Sequence, residues 1–407
     1  MTREEIQKAI VAIPNNNILI QAGTGVGKTL AAISKIAALI DPQKILIVIP
    51  RIVLIGNWNE EFIKWGQKKY LRRVEYVTYV SLPKMMDRTY DVIVFDEAHH
   101  ITPRCQEAIP FIHSDYNILL SATIKRTLKP KLEALFTNLY TFEVSLKMAI
   151  DNDILPEPRI ILIPLTLKTA PATEILQYGA KSAKQYDANY ETWLKNKWGY
   201  LKTKPNYGVR VHCTQQQYYN EICDYIENCS KRLRNGLVPT KQIPIVEQAR
   251  KRKGKERLSW LAEIKSDFVK TLLNQLGGYR TLTFCHNIEQ SERLGIYSIN
   301  SKNKHSKEYL QMFNKREINN LTCIDMLNEG INLSDCELLI FVVYNVSEIM
   351  QIQKQGRGLR HKKPIFIMPY YKNTKEEQIV KDMIADYDKS LVTVVTNPLK
   401  IHEYLNQ

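Results

Sequence analysis

Short apolar runs recur along the chain in two sets, one before residue 166 and one after residue 280. The runs are 17–21, 45–49, 92–95, 118–120, 281–285, 321–325, 338–343 and 365–368. Helical patterns separate the runs of the first set, which are rich in Ile, Leu and Val and lack the polar alternation of half-exposed strands, so they are typical of buried strands in parallel sheets. The pattern predicts two α/β domains, at 1–165 and at 261–407.

The segment 166–260 between these domains has a different character. Its apolar runs disappear, and Tyr, Trp, Asn, Gln, Lys and Arg dominate from about residue 169 to residue 257. We expect helices at 172–193 and 215–229, and a flexible basic run at 248–257. The sequence therefore predicts a basic, helical insert between two α/β domains.

Charge is concentrated in this insert. The chain has 407 residues and a net charge of +15, and residues 181–260 hold 17 Lys and Arg against 7 Asp and Glu, a net of +10. Residues 1–180 carry +3 and residues 261–407 carry +2. This distribution favours a localised polyanion-binding surface.

Composition indicates an ordinary soluble protein, with 44% hydrophobic and 24% charged residues. No segment approaches 18 uninterrupted apolar residues, and residues 1–7 carry charges where a signal peptide needs an apolar core. Seven cysteines without a Cys-x-x-Cys pair favour free thiols in a reducing cytosol over disulfides or zinc. We expect a cytoplasmic protein that makes no membrane contact.

A glycine-rich loop at 22–29 reads Ala-Gly-Thr-Gly-Val-Gly-Lys-Thr and lies between a predicted strand and a predicted helix. Backbone amides of such a loop bind phosphates, and the helix N-terminus favours their negative charge. The predicted ligands of ATP and Mg²⁺ in this loop are Gly23, Thr24, Gly25, Gly27, Lys28 and Thr29. Lys28 is expected to reach the β- and γ-phosphates, and Thr29 to bind Mg²⁺ through its hydroxyl.

Two carboxylates follow the run 92–95, in the order Asp96-Glu97-Ala98-His99. A carboxylate at the end of a parallel strand can hold the metal together with Thr29, and its neighbour can polarise the attacking water. We therefore predict that Asp96 binds Mg²⁺ and that Glu97 acts on water. His99 and His100 suggest zinc, but no further ligand has suitable spacing.

Together these motifs resemble superfamily 2 helicases of the DEAH-box type, over nearly the whole chain apart from the insert. The resemblance implies two RecA-like P-loop domains that hydrolyse ATP between them and act on nucleic acid. It also implies coupling of the two sites through Ser121 and Thr123, adenine recognition by Gln7, and nucleic-acid contacts from Arg51, Asn57 and Thr78. The arginine expected three residues before Gln7 is replaced by Glu4.

The second domain carries two further motifs of this family. Residues 353–360 resemble its final motif, which implies that Arg357 and Arg360 reach the γ-phosphate and that Gln353 couples the sites. Residues 323–332 resemble the preceding motif and place Gly330 near the nucleotide. Ile324 stands where the family has threonine.

The segments around Asn57-Trp58 and Asp96–His100 are similar to UvsW-type phage helicases and restriction-enzyme motor subunits. Three functions stay open: an ATP-dependent DNA helicase of replication, recombination or repair, the motor subunit of a restriction system, and an ATP-gated nucleic-acid clamp. A small-molecule kinase would leave the second domain unexplained. The resemblance favours DNA over RNA, a monomer, replication or recombination partner proteins, and the host cytoplasm if a phage encodes the chain.

The insert interleaves aromatic rings with lysines. Its rings are Tyr178, Tyr186, Tyr190, Trp193, Trp198, Tyr200 and Tyr207. Such rings can stack on unpaired bases while lysines neutralise phosphates. The predicted nucleic-acid contacts are Lys195, Lys197, Lys202 and Lys204. The alternative is a small helical domain whose rings form its core.

Overall fold

The structure is a computed structural model, and it describes residues 2–23, 25–179, 184–195, 207–324, 336–344, 361, 363–385 and 387–405. These residues form two parallel sheets with a smaller mixed sheet between them in the chain. All seven cysteines are free thiols, and six of them are buried. None of the helices in these ranges combines the length and apolar character of a membrane-spanning segment.

The first sheet has six strands in the order β3-β2-β4-β5-β1-β6, and every neighbouring pair is parallel. The strands are β1 (Asn17–Ala22), β2 (Ile45–Ile49), β3 (Val74–Thr78), β4 (Thr89–Asp96), β5 (His113–Ser121) and β6 (Tyr140–Val144). The four strands predicted here are confirmed as β1, β2, β4 and β5. The prediction missed β3 and β6, which lie at the two edges and are mostly half-buried or exposed, because it relied on continuous apolar runs.

Helices cover both faces of this sheet. They are α1 (Arg3–Ala12), α2 (Lys28–Ala38), α3 (Leu54–Lys64), α4 (Pro103–Ala108), α5 (Lys129–Leu135) and α6 (Leu146–Asp151). Thr2 and Glu5 form a reciprocal capping box that starts α1. Ile6 and Ile10 of this helix are buried against the sheet, so α1 is held close to the glycine-rich loop.

The insert follows β7 (Arg159–Leu165) and contains strands where helix was predicted. The strands are β8 (Glu174–Tyr178), β9 (Lys184–Asn189) and β10 (Tyr207–Cys213), and β10 pairs antiparallel with β8 and parallel with β9. The helix predicted at 172–193 is therefore wrong. Leu176, Val209 and Val211 bury one face of this sheet, and β-branched and aromatic residues favour such a half-buried surface.

Two long helices complete the insert: α7 (Gln215–Arg234) and α8 (Ile243–Glu263). The helix predicted at 215–229 is confirmed by α7. The flexible run predicted at 248–257 is wrong, because these residues lie inside α8. Lys and Arg are good helix formers, and packing of α8 along α7 stabilises a helix that the charge pattern alone does not predict.

The second sheet has seven strands in the order β12-β13-β11-β14-β15-β7-β16. Its remaining strands are β11 (Thr281–Phe284), β12 (Ser298–Ile299), β13 (Asn320–Cys323), β14 (Leu338–Phe341), β15 (Ile365–Tyr371) and β16 (Val392–Val394). Its helices are α9 (Ser266–Gln275), α10 (Ile288–Leu294), α11 (Ser306–Asn314), α12 (Lys375–Met383) and α13 (Ile401–Leu405). The four strands predicted in this half are confirmed by β11, β13, β14 and β15.

One strand of this second sheet comes from before the insert. β7 pairs parallel with both β15 and β16, although it lies within the domain predicted at 1–165. An apolar run indicates a buried strand but does not say which sheet the strand joins. The second α/β domain therefore includes residues from both sides of the insert.

Polar contacts connect the insert and the end of α8 to the second sheet. The backbone N–H of Lys375 donates to Tyr219 Oη at 2.7 Å, and Tyr371 Oη donates to the carbonyl of Ile264 at 3.1 Å. Lys265, which lies between α8 and the following helix, forms a buried ion pair with Glu376 at 2.6 Å. Tyr219, Leu261 and Tyr371 also share one apolar cluster, so the insert and the second sheet have a common core.

Candidate active site

The glycine-rich loop connects the carboxyl end of β1 to the start of α2. Gly25 has φ 92° and Gly27 has φ 102°, in the left-handed region that favours glycine. A Cβ atom at Gly25 would also lie 3.1 Å from Leu155 Cδ2. Gly27 precedes α2 without a side-chain cap, so the first-turn amides are available to phosphate oxygens. The predicted ligand Thr24 lies outside the described residues.

Lys28 is the first residue of α2, and Thr29 follows it. The Lys28 ammonium turns back across the loop and donates to the carbonyl of Ala22 at 2.9 Å. This hydrogen bond holds the charged group at the concave side of the loop. The arrangement suits a phosphate chain that would replace the carbonyl as the partner of Lys28.

Gln7 reaches the loop from α1. Its Nε2 donates to the carbonyl of Gly27 at 3.2 Å, and its Oε1 is buried without a hydrogen-bond partner in the described part of the chain. A buried, unused acceptor is costly unless a donor occupies it, so Gln7 fits an amino-bearing base. Arg3, one position away from the expected arginine, instead donates to the carbonyl of Ile154 at 2.8 Å.

Asp96 ends β4, and two aromatic side chains hold it in place. Trp58 Nε1 donates to Asp96 Oδ2 at 2.9 Å, and Tyr79 Oη donates to the Asp96 carbonyl at 2.7 Å. Burial and the neighbouring Glu97 carboxylate raise the pKa of Asp96 to about 7, while the Trp58 N–H and Lys28 oppose that rise. Sequence reasoning gave Trp58 no role at Asp96; its position after Asn57 in α3 was the only available signal.

Side-chain contacts link Glu97 to the end of β5. His99 Nδ1 lies 3.0 Å from Ser121 Oγ, within hydrogen-bond distance. Glu97 Oε2 lies 3.4 Å from the same nitrogen and is a buried acceptor without a hydrogen-bond partner among the described residues. Ser121 Oγ donates to the carbonyl of Thr123 at 2.8 Å, so its hydroxyl accepts from His99. Since β5 lies between β4 and β1, Ser121 stands between the carboxylates and the glycine-rich loop.

The donor set fits Mg²⁺ bound with a nucleotide. Mg²⁺ takes one or two carboxylates, retains waters and uses phosphate oxygens for its other positions. Asp96 and Thr29 supply a carboxylate and a hydroxyl at the carboxyl edge of the first sheet. Among the described residues, no group of three or more His, Cys, Asp and Glu side chains could hold a metal ion without such help.

The predicted nucleic-acid contacts of the first domain lie on the same edge of the sheet. Arg51 follows β2 and is exposed, and Thr78 ends β3 next to Ile49 of β2. Asn57 is half-buried in α3 beside Trp58, whose indole reaches Asp96. One helix therefore carries a predicted nucleic-acid contact and a direct partner of the predicted metal ligand.

The insert's aromatic side chains lie mainly in its core. Trp193 is fully buried and stacks on Tyr178 with ring centroids 4.3 Å apart. The hydroxyls of Tyr178 and Tyr190 each donate to Glu221 at 3.1 Å. The prediction that Trp193 stacks on bases is wrong, because a small sheet needs a large side chain to fill its one buried face. Lys195 is exposed.

Several predicted site residues lie outside the described ranges. They are Lys197, Lys202, Lys204, Gly330, Gln353, Arg357 and Arg360.

Two family models match the chain. Residues 2–126 match the res subunit of type III restriction enzymes, and residues 264–362 match the helicase conserved C-terminal domain. The two models lie one in each α/β domain, and together with the relatives below they support a superfamily 2 helicase.

A curated relative and two solved structures agree with this assignment. The helicase is 28% identical over 144 residues to a putative helicase, 161L, of Invertebrate iridescent virus 6; the match covers 30% of this chain and 32% of the viral protein. It is similar to S. cerevisiae Dbp5 bound to RNA and ADP BeF3, with TM-score 0.59, 12% identity and coverage of 99% and 91%. LlaBIII, an ATP-dependent type ISP restriction-modification enzyme bound to DNA, matches 100% of this chain and 32% of its own, with TM-score 0.54 and 13% identity. The predicted pair of RecA-like domains is confirmed.

Proposed function

We propose that this helicase is an ATP-driven DNA motor whose first domain holds ATP and Mg²⁺ at the carboxyl edge of its sheet. The observation that carries the proposal is the row of side-chain contacts from Glu97 past His99 to Ser121, with Glu97 Oε2 a buried acceptor that has no hydrogen-bond partner among the described residues. It runs between the phosphate-binding loop and the strand ends that carry Arg51 and Thr78. A change at the γ-phosphate can therefore be passed to the nucleic-acid contacts along one short path.

Each side chain has a defined task in this proposal. Lys28 neutralises the β- and γ-phosphates, and Thr29 and Asp96 hold Mg²⁺. Glu97 accepts the proton of the attacking water through its unused carboxylate oxygen, which lies beside His99. Gln7 receives the adenine amino group through its unused oxygen. The metal supplies charge neutralisation on the phosphates.

The second domain completes the site by its family resemblance. Arg357 and Arg360 would stabilise charge on the transferred phosphoryl group, an effect that contributes about 10³–10⁵ in rate for arginine fingers. Gly330 and Gln353 would sense the nucleotide from the same side. Hydrolysis would then break the contacts that these arginines make with the γ-phosphate across the gap between the two domains, and the domains could reopen.

DNA is the proposed substrate, in unwinding, annealing or branch migration. Supporting observations are the restriction-subunit match over residues 2–126 and the +10 charge of residues 181–260. The structure of LlaBIII, which has a related fold, contains bound DNA, whereas the structure of Dbp5 contains bound RNA. Backbone contacts from Arg51, Thr78 and Lys195 would give little sequence preference.

A second candidate is translocation along DNA without strand separation, as the motor of a restriction system. The match of the first domain to a restriction subunit favours it. Displacement of a labelled strand from a fork would support the helicase function. Displacement of a third strand from a triplex without fork opening would support translocation alone.

The deciding measurement is steady-state ATP turnover titrated with single-stranded DNA, forked DNA, duplex DNA and RNA. We expect the largest stimulation with a DNA substrate, and none in Lys28→Ala. Maximal stimulation by RNA would contradict DNA as the substrate. Turnover that no nucleic acid changes would contradict the motor function itself.

A further inference from the structure

A cleft of about 800 Å³ lies between α8 of the insert and the carboxyl edge of the second sheet. Tyr344, just beyond β14, and the first residues of α12, just beyond β15, form one wall. The other wall is α8. Ligands of open parallel sheets bind at this edge.

The cleft is lined by an excess of positive charge. Its basic side chains are Lys251, Arg252, Lys255, Arg257 and Lys375. The one carboxylate among the described lining residues is Glu376, and both of its oxygens are engaged: Oε1 with Lys265 at 2.6 Å and Oε2 with the N–H of Tyr371 at 3.2 Å. A concave surface with one sign of charge focuses its field and attracts polyanions.

The two faces of α8 divide its charged side chains. On the face against α7, Lys253 pairs with Glu256 at 2.8 Å, and Trp260 packs on Tyr218 with ring centroids 4.8 Å apart. On the cleft face are three cations, Lys251, Arg252 and Lys255. Within the described ranges these three form no ion pair with a carboxylate, so their charges are available to a ligand.

Gly254 interrupts the cleft face of α8 between these cations. A glycine inside a helix destabilises that helix relative to alanine. A Cβ atom at this position would meet nothing within 4 Å, so packing does not require glycine. The missing side chain leaves the helix backbone open to the close approach of a ligand in the cleft.

We propose that this cleft binds the phosphodiester backbone of nucleic acid, as a site separate from the strand-end contacts of the first domain. The inference rests on the proposed function. Cationic side chains above an apolar base of Leu258, Leu261 and Ile379 suit a ligand that is recognised by its backbone phosphates. Since Tyr219 and Lys265 fasten the insert to the second sheet, the bound strand moves with the second domain.

The test uses the full chain with Lys251→Gln, Arg252→Gln and Lys255→Gln combined. Affinities for a labelled single strand and for a duplex of equal length are measured across a salt series without nucleotide. Each lost phosphate contact lowers the slope of log affinity against log salt by about 0.7–0.9, so we expect a decrease of roughly two. If the slope decreases more for the single strand, the cleft binds single-stranded nucleic acid. If it decreases more for the duplex, the cleft binds the duplex.

The matched control removes the same charge elsewhere on the second domain, with Lys302→Gln, Lys304→Gln and Lys307→Gln, all exposed around the start of α11. It should leave the salt slope close to that of the wild type. The variant with Lys251→Arg and Lys255→Arg keeps the charge and should keep the slope. Gly254→Ala should weaken binding without lowering the melting temperature.

The outcomes separate this proposal from the proposed function. A wild-type protein that binds neither DNA nor RNA contradicts both. Normal wild-type binding with an unchanged slope in the folded triple Gln variant contradicts the cleft alone. Weakened ATP affinity with unchanged nucleic-acid affinity in that variant would assign the cleft to the nucleotide and also overturn the proposal.

Discussion

The first α/β domain and the insert differ in how their strands are buried and in what their polar side chains contact. In the first domain, β2 is buried along its whole length, and the functional side chains stand on the loops at the strand ends. In the insert, a three-stranded sheet has one apolar face, and its polar and aromatic side chains mostly hold that sheet to α7 and α8. Under the proposed function, similar residue types therefore take part in ATP hydrolysis in the first domain and hold the fold together in the insert.

Glutamates show the contrast. Glu97 lies beside His99 at a strand end, where it can act on water. Glu221 accepts hydrogen bonds from Tyr178 and Tyr190 within the insert. Burial raises the pKa of both phenols, and the Glu221 carboxylate adds to that rise. We expect substitutions in the two regions to change different quantities.

The largest expected effect is on turnover in the first domain. Lys28→Ala removes the charge aimed at the phosphates, and losing one such preorganised group costs about 100-fold or more in rate. The melting temperature of the protein should stay unchanged. Lys8→Ala, at an exposed position of α1, is the control. If steady-state ATP turnover in Lys28→Ala stays within threefold of the wild type, the first domain does not hold the ATP site and the two regions do not differ in this respect.

The next effect is on the attachment of the insert. Lys265→Met leaves the buried Glu376 carboxylate without its partner, and breaking one side of a buried pair costs about 3–5 kcal/mol. The free energy of unfolding in urea measures it. Lys381→Met, which removes an exposed partner of Glu377, should change stability little. Equal losses in both variants would show that Lys265 does not anchor the insert.

A smaller loss of stability is expected inside the insert. Glu221→Ala leaves two phenol hydroxyls without their acceptor, at a cost of about 1–3 kcal/mol. ATP affinity should be retained, because the first domain is not altered. Glu227→Ala, which removes an exposed partner of Arg234, is the matched control. An ATP affinity that falls in parallel with stability would contradict the independence of the two regions.

The Trp58 hydrogen bond gives a pH effect in the first domain. That bond lowers the pKa of Asp96, so Trp58→Phe should raise it. On acidification the Asp96 carboxylate, the proposed Mg²⁺ ligand, would then become protonated at a higher pH than in the wild type. The acid limb of the turnover profile should therefore move to higher pH. Trp65→Phe, which removes an exposed indole bonded to Glu61, should leave the profile in place. A stability change without a shifted profile would make Trp58 a packing residue only.

The smallest effect belongs to an exposed lysine of the insert. Lys195→Gln should lower the salt slope of DNA binding by about 0.7–0.9 if this lysine contacts one phosphate. Turnover at saturating DNA should be unchanged. If the variant binds DNA like the wild type at every salt concentration, Lys195 is a solvated side chain that does not contact DNA.

How far the sequence predicts the fold depends on burial. Strands such as β2 and β14 are buried on both faces, so their apolar runs identify them without knowledge of their neighbours. β8 and β9 are half-exposed, and their polar composition resembles that of a surface helix. The basic part of α8 owes its order to α7, a contact that the local pattern does not contain.

The sequence by itself determined the two α/β domains, the glycine-rich loop and the positions of Lys28 and Asp96, because strand burial and loop chemistry are local properties. Tertiary structure alone decided that β7 joins the second sheet, that Trp58 and Tyr79 hold Asp96, and that His99 contacts Ser121. It also placed the cleft face of α8 opposite α12. These are contacts between side chains far apart in the chain, and only the packing of the sheets and helices brings them together.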